Sequence, residues 1–145
     1  LDPKTAKQKI DELNAWEKTN TGNNINTGAS NTAKMIEAVF HLRTKQIPNF
    51  TEDDLKRELS NNRLILLPIN AQGLNHPNYQ RNDVIYHMVV IRGWNKEGFI
   101  VHDPGTEKGQ NNIYAFDKLY APAADWDNTE NKLLPNQKVA LVVWK

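Results

Sequence analysis

The spacing of apolar positions divides the chain into a helical front and a strand-rich back. Asp2-Pro3 has the form of a helix start, aspartate as N-cap and proline in the first turn. Ala6, Ile10 and Leu13 follow at helical spacing, which predicts a helix from Asp2 to Asn14. Thr19 to Thr27 is polar and rich in Asn and Gly, and reads as a surface loop. A second helix is expected from Ser30, as its N-cap, through Ala33, Ile36, Val39 and Phe40 to Leu42. Thr51-Glu52-Asp53-Asp54 has the spacing of a capping box with Asp in the third place, and Leu55 and Leu59 continue the helix behind it.

After Asn61-Asn62 the period changes. Leu64 to Ile69 is a short apolar strand, and Asn70 to Asp83 a long polar loop. Tyr86 to Arg92 is a strand rich in β-branched residues, Gly93 to Gly98 a turn, and Phe99 to Asp103 a strand that Pro104-Gly105 ends. Phe116 to Tyr120 suits a short helix, and Val139 to Trp144 a closing strand. Helices first and an antiparallel sheet afterwards give an α+β fold, and 145 residues suit one domain over residues 1–145.

Composition narrows the function. Lys+Arg is 18 and Asp+Glu 17, a formal charge of +1 that gives no electrostatic case for nucleic acid or an anionic membrane. No apolar run approaches the length of a membrane span. With no cysteine, the chain can hold no disulfide, thiolate metal site or thiol nucleophile of its own. It opens at Leu1-Asp2-Pro3 without a start methionine or signal peptide, as a processed or truncated chain would.

The chemistry lies in two segments, Tyr86-His87-Met88-Val89-Val90-Ile91-Arg92-Gly93-Trp94 and Gly98-Phe99-Ile100-Val101-His102-Asp103-Pro104. Folded back on each other as a hairpin, they bring His87 beside the Asp103 end, at neighbouring cross-strand positions roughly 5 Å apart. A carboxylate on one imidazole nitrogen fixes tautomer and orientation, so the other nitrogen can take a proton from a nucleophile. The same residues could instead be an ordinary polar pair. A metal site would draw on His87, His102, Asp103 and His76, but His102 and Asp103 alternate along a strand and face opposite sides. Neither a metal nor a cofactor is expected. His41 reads as a surface or packing residue, and Ser30 as a cap and not a nucleophile.

These segments, together with Leu55-Lys56-Arg57-Glu58-Leu59 and Arg63 to Ile69, resemble the papain-like cysteine peptidases of the bacteriocin-processing type, the double-glycine leader peptidases and their free-standing bacterial relatives. The later Asn112-Ile113-Tyr114-Ala115-Phe116 and Ala124-Asp125-Trp126 extend the likeness, which runs from Thr51 to Trp144. It implies a papain-like α+β fold and a peptide or protein substrate. It gives His87 the role of general base and Asp103 that of orienting acid. The family's nucleophilic cysteine, which heads a helix, and the oxyanion-stabilising glutamine before it have no counterpart here, and Gln8 lies inside the first helix. The resemblance therefore implies a nucleophile-bearing segment upstream of Leu1, or else a peptide-binding relative that does not cut. Ser30 stands too close to the base strand to replace the cysteine. Free-standing relatives are commonly exported, which implies an extracytoplasmic or secreted protein. Without the cysteine-bearing helix, the sheet face of Val89, Ile91 and Val101 is expected to lack cover. The chain alone should then associate or be poorly stable.

Overall fold

The computed structural model describes residues 2–22, 25–74 and 85–145. Within them the chain runs α1 (Pro3–Thr21), α2 (Ala29–Phe40), β1 (Arg43–Pro48), α3 (Glu52–Ser60), β2 (Leu64–Asn70), a 3-10 turn (Ala71–Leu74), β3 (Tyr86–Asn95), β4 (Gly98–His102), β5 (Asn112–Tyr114), α4 (Phe116–Tyr120), β6 (Asp125–Asp127), β7 (Lys132–Leu134) and β8 (Val139–Trp144). This is the α+β architecture that the period change predicts. Six strands form one antiparallel sheet in the order β1-β8-β2-β3-β4-β5, and β6-β7 is a separate hairpin.

The first helix is longer than its apolar spacing suggests. Asp2 caps it, its carboxylate accepting from the amides of Lys4 and Thr5 at 3.0 Å. It runs to Thr21 and ends at Gly22, which is left-handed (φ 78°). None of its residues is fully buried. In its polar second half, side chains donate to carbonyls four residues back, from Thr19 to Ala15, Asn20 to Trp16 and Thr21 to Glu17. The second helix starts at Ala29 with Gly28 as N-cap, so Ser30 falls in the first turn, with its hydroxyl 3.3 Å from the Gln46 side chain. His41 ends this helix in a left-handed, solvent-exposed conformation.

The capping box forms as its spacing predicts. The Thr51 hydroxyl accepts from the Asp54 amide at 3.2 Å, and the Asp54 carboxylate accepts from the Thr51 amide at 2.9 Å. The bond from the Thr51 side chain, then that from its backbone, holds the Asp54 carboxyl down to about 2. Because this lies below the ordinary value of an aspartate, its share of stability is present above that ordinary value and is lost as pH falls toward 2. Thr51→Ala is expected to lower unfolding stability by about 1 kcal/mol at pH 7. The difference from wild type should shrink toward pH 2, and urea unfolding at both pH values would check it.

The faces of the sheet follow from register. Ile65 pairs with Ile91 and with Val142, Ile91 with Val101, and Leu67 with Val89, so these side chains share one face. That face is covered: all six are fully buried against Phe50, Leu55 and Leu59 of the α3 region and Leu119 of α4. The expectation that Val89, Ile91 and Val101 lack cover is therefore corrected. A loop phenylalanine and two short helices, brought in from distant parts of the chain, supply it. The opposite face is the partly open one. There α2 buries Ala33 and Ile36 on Leu141 and Val143. Farther along, Leu66, Met88, Val90 and Ile100 are half-buried, and Leu64 and Ile113 are 48% and 43% exposed.

Buried Glu58 ties α3 to β1. Burial raises its carboxyl, but hydrogen bonds from Lys45 at 2.7 Å and Arg63 at 2.8 Å outweigh that and leave it below the ordinary range. Glu58→Ala is expected to cost about 1–2 kcal/mol, read from the denaturant midpoint. That is less than for a fully buried pair, since Lys45 and Arg63 reach solvent and can be rehydrated.

Candidate active site

The hairpin that carries the two site residues is tighter than the sequence suggests. Strand β3 runs on to Asn95 past an irregularity between Ile91 and Gly93, and Asn95 pairs with Gly98, so the reversal is made by Lys96 and Glu97 alone. The Asn95 side chain closes it, accepting from the amides of Glu97 at 2.8 Å and Gly98 at 3.2 Å. Gly93 and Trp94 thus lie in the ladder and not in the turn.

Counting back along this ladder locates the pair. Val90 faces His102, so one further step sets Asp103 opposite Val89, on the same face as His87 and diagonal to it. His87 Nε2 and Asp103 Oδ1 are 2.6 Å apart, a short hydrogen bond of the kind an ionised acceptor makes. With the carboxylate as acceptor, a neutral imidazole carries its proton on Nε2 and its lone pair on Nδ1. The Asp103 side chain is wholly buried and that of His87 is 16% exposed. The imidazole thus reaches solvent while the carboxylate does not.

The loop after β4 fixes the carboxylate. The Gly105 amide donates to the same Oδ1 at 2.8 Å, and the Asp103 amide donates to the Gly109 carbonyl at 2.7 Å. The Gly109 amide in turn donates to the Thr106 carbonyl at 3.1 Å. The return approach is so close that a Cβ on Gly109 would lie 1.8 Å from the Asp103 carbonyl oxygen. Nearby, burial and then the Asp103 charge push the Tyr114 hydroxyl up.

The other candidates do not join this pair. His102 points to the opposite face, its Nε2 3.0 Å from Asn111 Oδ1 and 3.5 Å from Arg92 Nη1. His76 lies outside the described residues. Among the described residues no three His, Asp or Glu side chains gather as a metal site, and no helix is long and apolar enough to cross a membrane. Sequence reasoning overlooked Tyr86, whose buried ring packs 5.4 Å from Trp126. The adjacency of Tyr86 to His87 was the available signal. It also overlooked Gly109, whose role depends on a loop closure that no local pattern announces.

Comparison with known proteins bears on the family and the fold. Residues 2–133 match the Peptidase_C39 like family. Among solved structures, the chain is similar to a Bacillus anthracis protein assigned as a C39-like peptidase, with a TM-score of 0.55 and 12% identity over 82% of this chain. At that identity the likeness is one of fold, and the chain spans 60% of that protein's length. No curated protein matches the chain. A family match over nearly its whole length settles the matter of kinship: the chain belongs to the Peptidase_C39 like family.

Proposed function

We propose that this chain is the base-and-acid portion of a papain-like cysteine peptidase of the bacteriocin-processing type, acting on a peptide or protein substrate. The observation that carries the reading is the 2.6 Å bond from His87 Nε2 to Asp103 Oδ1 on adjoining strands. His87 Nδ1 takes the proton of a cysteine thiol, and the thiolate attacks the scissile carbonyl carbon. As the tetrahedral intermediate collapses, the C–N bond breaks and the imidazolium gives its proton to the leaving amine. His87 then draws a proton from water, which attacks the thioester; the C–S bond breaks, the acid leaves, and the imidazolium returns its proton to the sulfur. Asp103 stays ionised throughout and holds the ring. The thiol comes from a segment upstream of Leu1, since these 145 residues include no cysteine. That the chain spans only 60% of the Bacillus anthracis protein is in keeping with such a segment. By the same resemblance the protein works outside the cytoplasm.

The missing thiol also favours a second reading, a peptide-binding domain of this fold that does not cut. The polypeptide extended upstream of Leu1 separates the two. A cysteine at a helix start, alkylated by iodoacetamide with loss of peptide cleavage, supports the peptidase. If no cysteine precedes Leu1, or its alkylation leaves cleavage unchanged, the peptidase reading fails. The chain of 145 residues alone should show no thiol-dependent cleavage in either case.

A further inference from the structure

Strand β3 is held unevenly at the end that carries His87. Toward β2 its pairing continues to Tyr86, opposite Asn70. Toward β4 the ladder ends at Val90 and His102, and the Asp103 amide turns instead to the Gly109 carbonyl. A strand end paired on one side can swing away from its other neighbour. A shift of roughly 0.5 Å is enough to spoil a catalytic geometry.

Tyr86 meets this need from the far side of the strand. Its side chain projects opposite to that of His87 and is buried, 8% exposed. Its hydroxyl donates to the Thr27 carbonyl at 3.0 Å, and that carbonyl also accepts from the Thr32 hydroxyl at 3.2 Å. Burial, and then the Asp125 charge, push the tyrosine hydroxyl up, so it remains a donor at any physiological pH. Thr27 sits in the α1–α2 connection, which is itself clamped. The Gly28 amide donates to Asn128 Oδ1 and the Ala29 amide to Asp125 Oδ1, both at 2.8 Å. Asn128 Nδ2 donates to the Asn26 carbonyl at 2.7 Å, and the Thr27 hydroxyl bonds Glu17 of α1. The approach is close enough that a Cβ on Gly28 would lie 2.2 Å from the Trp126 carbonyl oxygen.

We propose that Tyr86 is a positioning residue for His87, and that the clamp from Asn26 to Ala29 on Asp125 and Asn128 is its anchor. The clamp fixes the start of β3 against the helices and so holds the imidazole on Asp103. Like the proposed function, this rests on reading His87 as the general base. The test follows the imidazole Nε2 proton of His87 by proton–nitrogen NMR of the chain. Asp103→Ala should abolish its protection from exchange, which identifies the signal. Tyr86→Phe keeps the ring on Trp126 and deletes the donor, while Asn128→Ala leaves Tyr86 intact and cuts the clamp. Each should speed exchange of this proton roughly tenfold, the loss of about one neutral hydrogen bond. The backbone amides of Ile91 and Val101 should keep their wild-type rates. Wild-type exchange of the His87 proton in both variants, even with a lowered melting temperature, would overturn the positioning role and leave Tyr86 as packing alone. That failure is separate from failure of the base assignment, which would show as unchanged turnover in His87→Ala of the polypeptide extended upstream of Leu1.

Discussion

His87→Ala in the polypeptide that includes its nucleophile is expected to lower kcat by about 10³-fold, within the usual range for a positioned acid–base group. The loss should fall on kcat more than on KM, because the imidazole acts on protons in flight and not on bound substrate. The variants of Asp103 should be graded. Asp103→Ala removes the acceptor, frees the ring to rotate, and is expected to cost about 10²-fold or more. Asp103→Asn should cost only about tenfold. An amide in that place has two donors aimed at it, His87 Nε2 and the Gly105 amide, both at the same oxygen. Both would turn its carbonyl inward, so the ring keeps its tautomer and loses only the charge. Steady-state kinetics on the three variants would check this, and Asp103→Asn as damaging as Asp103→Ala would refute the grading.

The second large effect is expected at Gly109. A methyl group there meets backbone atoms, the Asp103 carbonyl oxygen at 1.8 Å and its carbon at 2.8 Å, which no rotamer change can relieve. Gly109→Ala should therefore destabilise the chain by about 3 kcal/mol, in the range of severe overpacking. For a chain of this size that is a fall in melting temperature of roughly 10 °C. Gly93→Ala is the control, since its new Cβ would meet only the Ile100 side chain at an ordinary 3.7 Å, and it should change stability by less than about 0.5 kcal/mol. Thermal unfolding by circular dichroism would compare them. A Gly109→Ala protein as stable as Gly93→Ala would mean that the loop relaxes at no cost.

What the sequence made legible was what short-range chemistry decides. The capping box at Thr51 is complete within four residues, so spacing alone announces it. The β3–β4 hairpin is legible because apolar β-branched residues fill it. The tighter turn was not, since Gly93 looks like a turn residue until pairing with Ile100 places it in the ladder. Strand β1, Arg43–Pro48, went unread because it is an edge strand that turns little apolar surface inward, with Ile47 packed against the core. Strands β5, β6 and β7 have three residues each, too few for a period to show. The cover over Val89, Ile91 and Val101 was illegible for another reason. It comes from Phe50, Leu55 and Leu119, whose meeting is a property of the folded chain and not of any window along it.

His87 and Asp103 belong to a single hairpin, 16 residues apart in sequence. Contacts so local incur little loop-closure entropy and form early when a chain folds. In the proposed peptidase, the charge arrangement is then complete before a thiol arrives, and docking of the thiol-bearing segment becomes the last, activating event. Such an enzyme is divisible: two separately made polypeptides, one holding the hairpin and one the nucleophile, would regain cleavage on mixing, at a rate set by how tightly they associate.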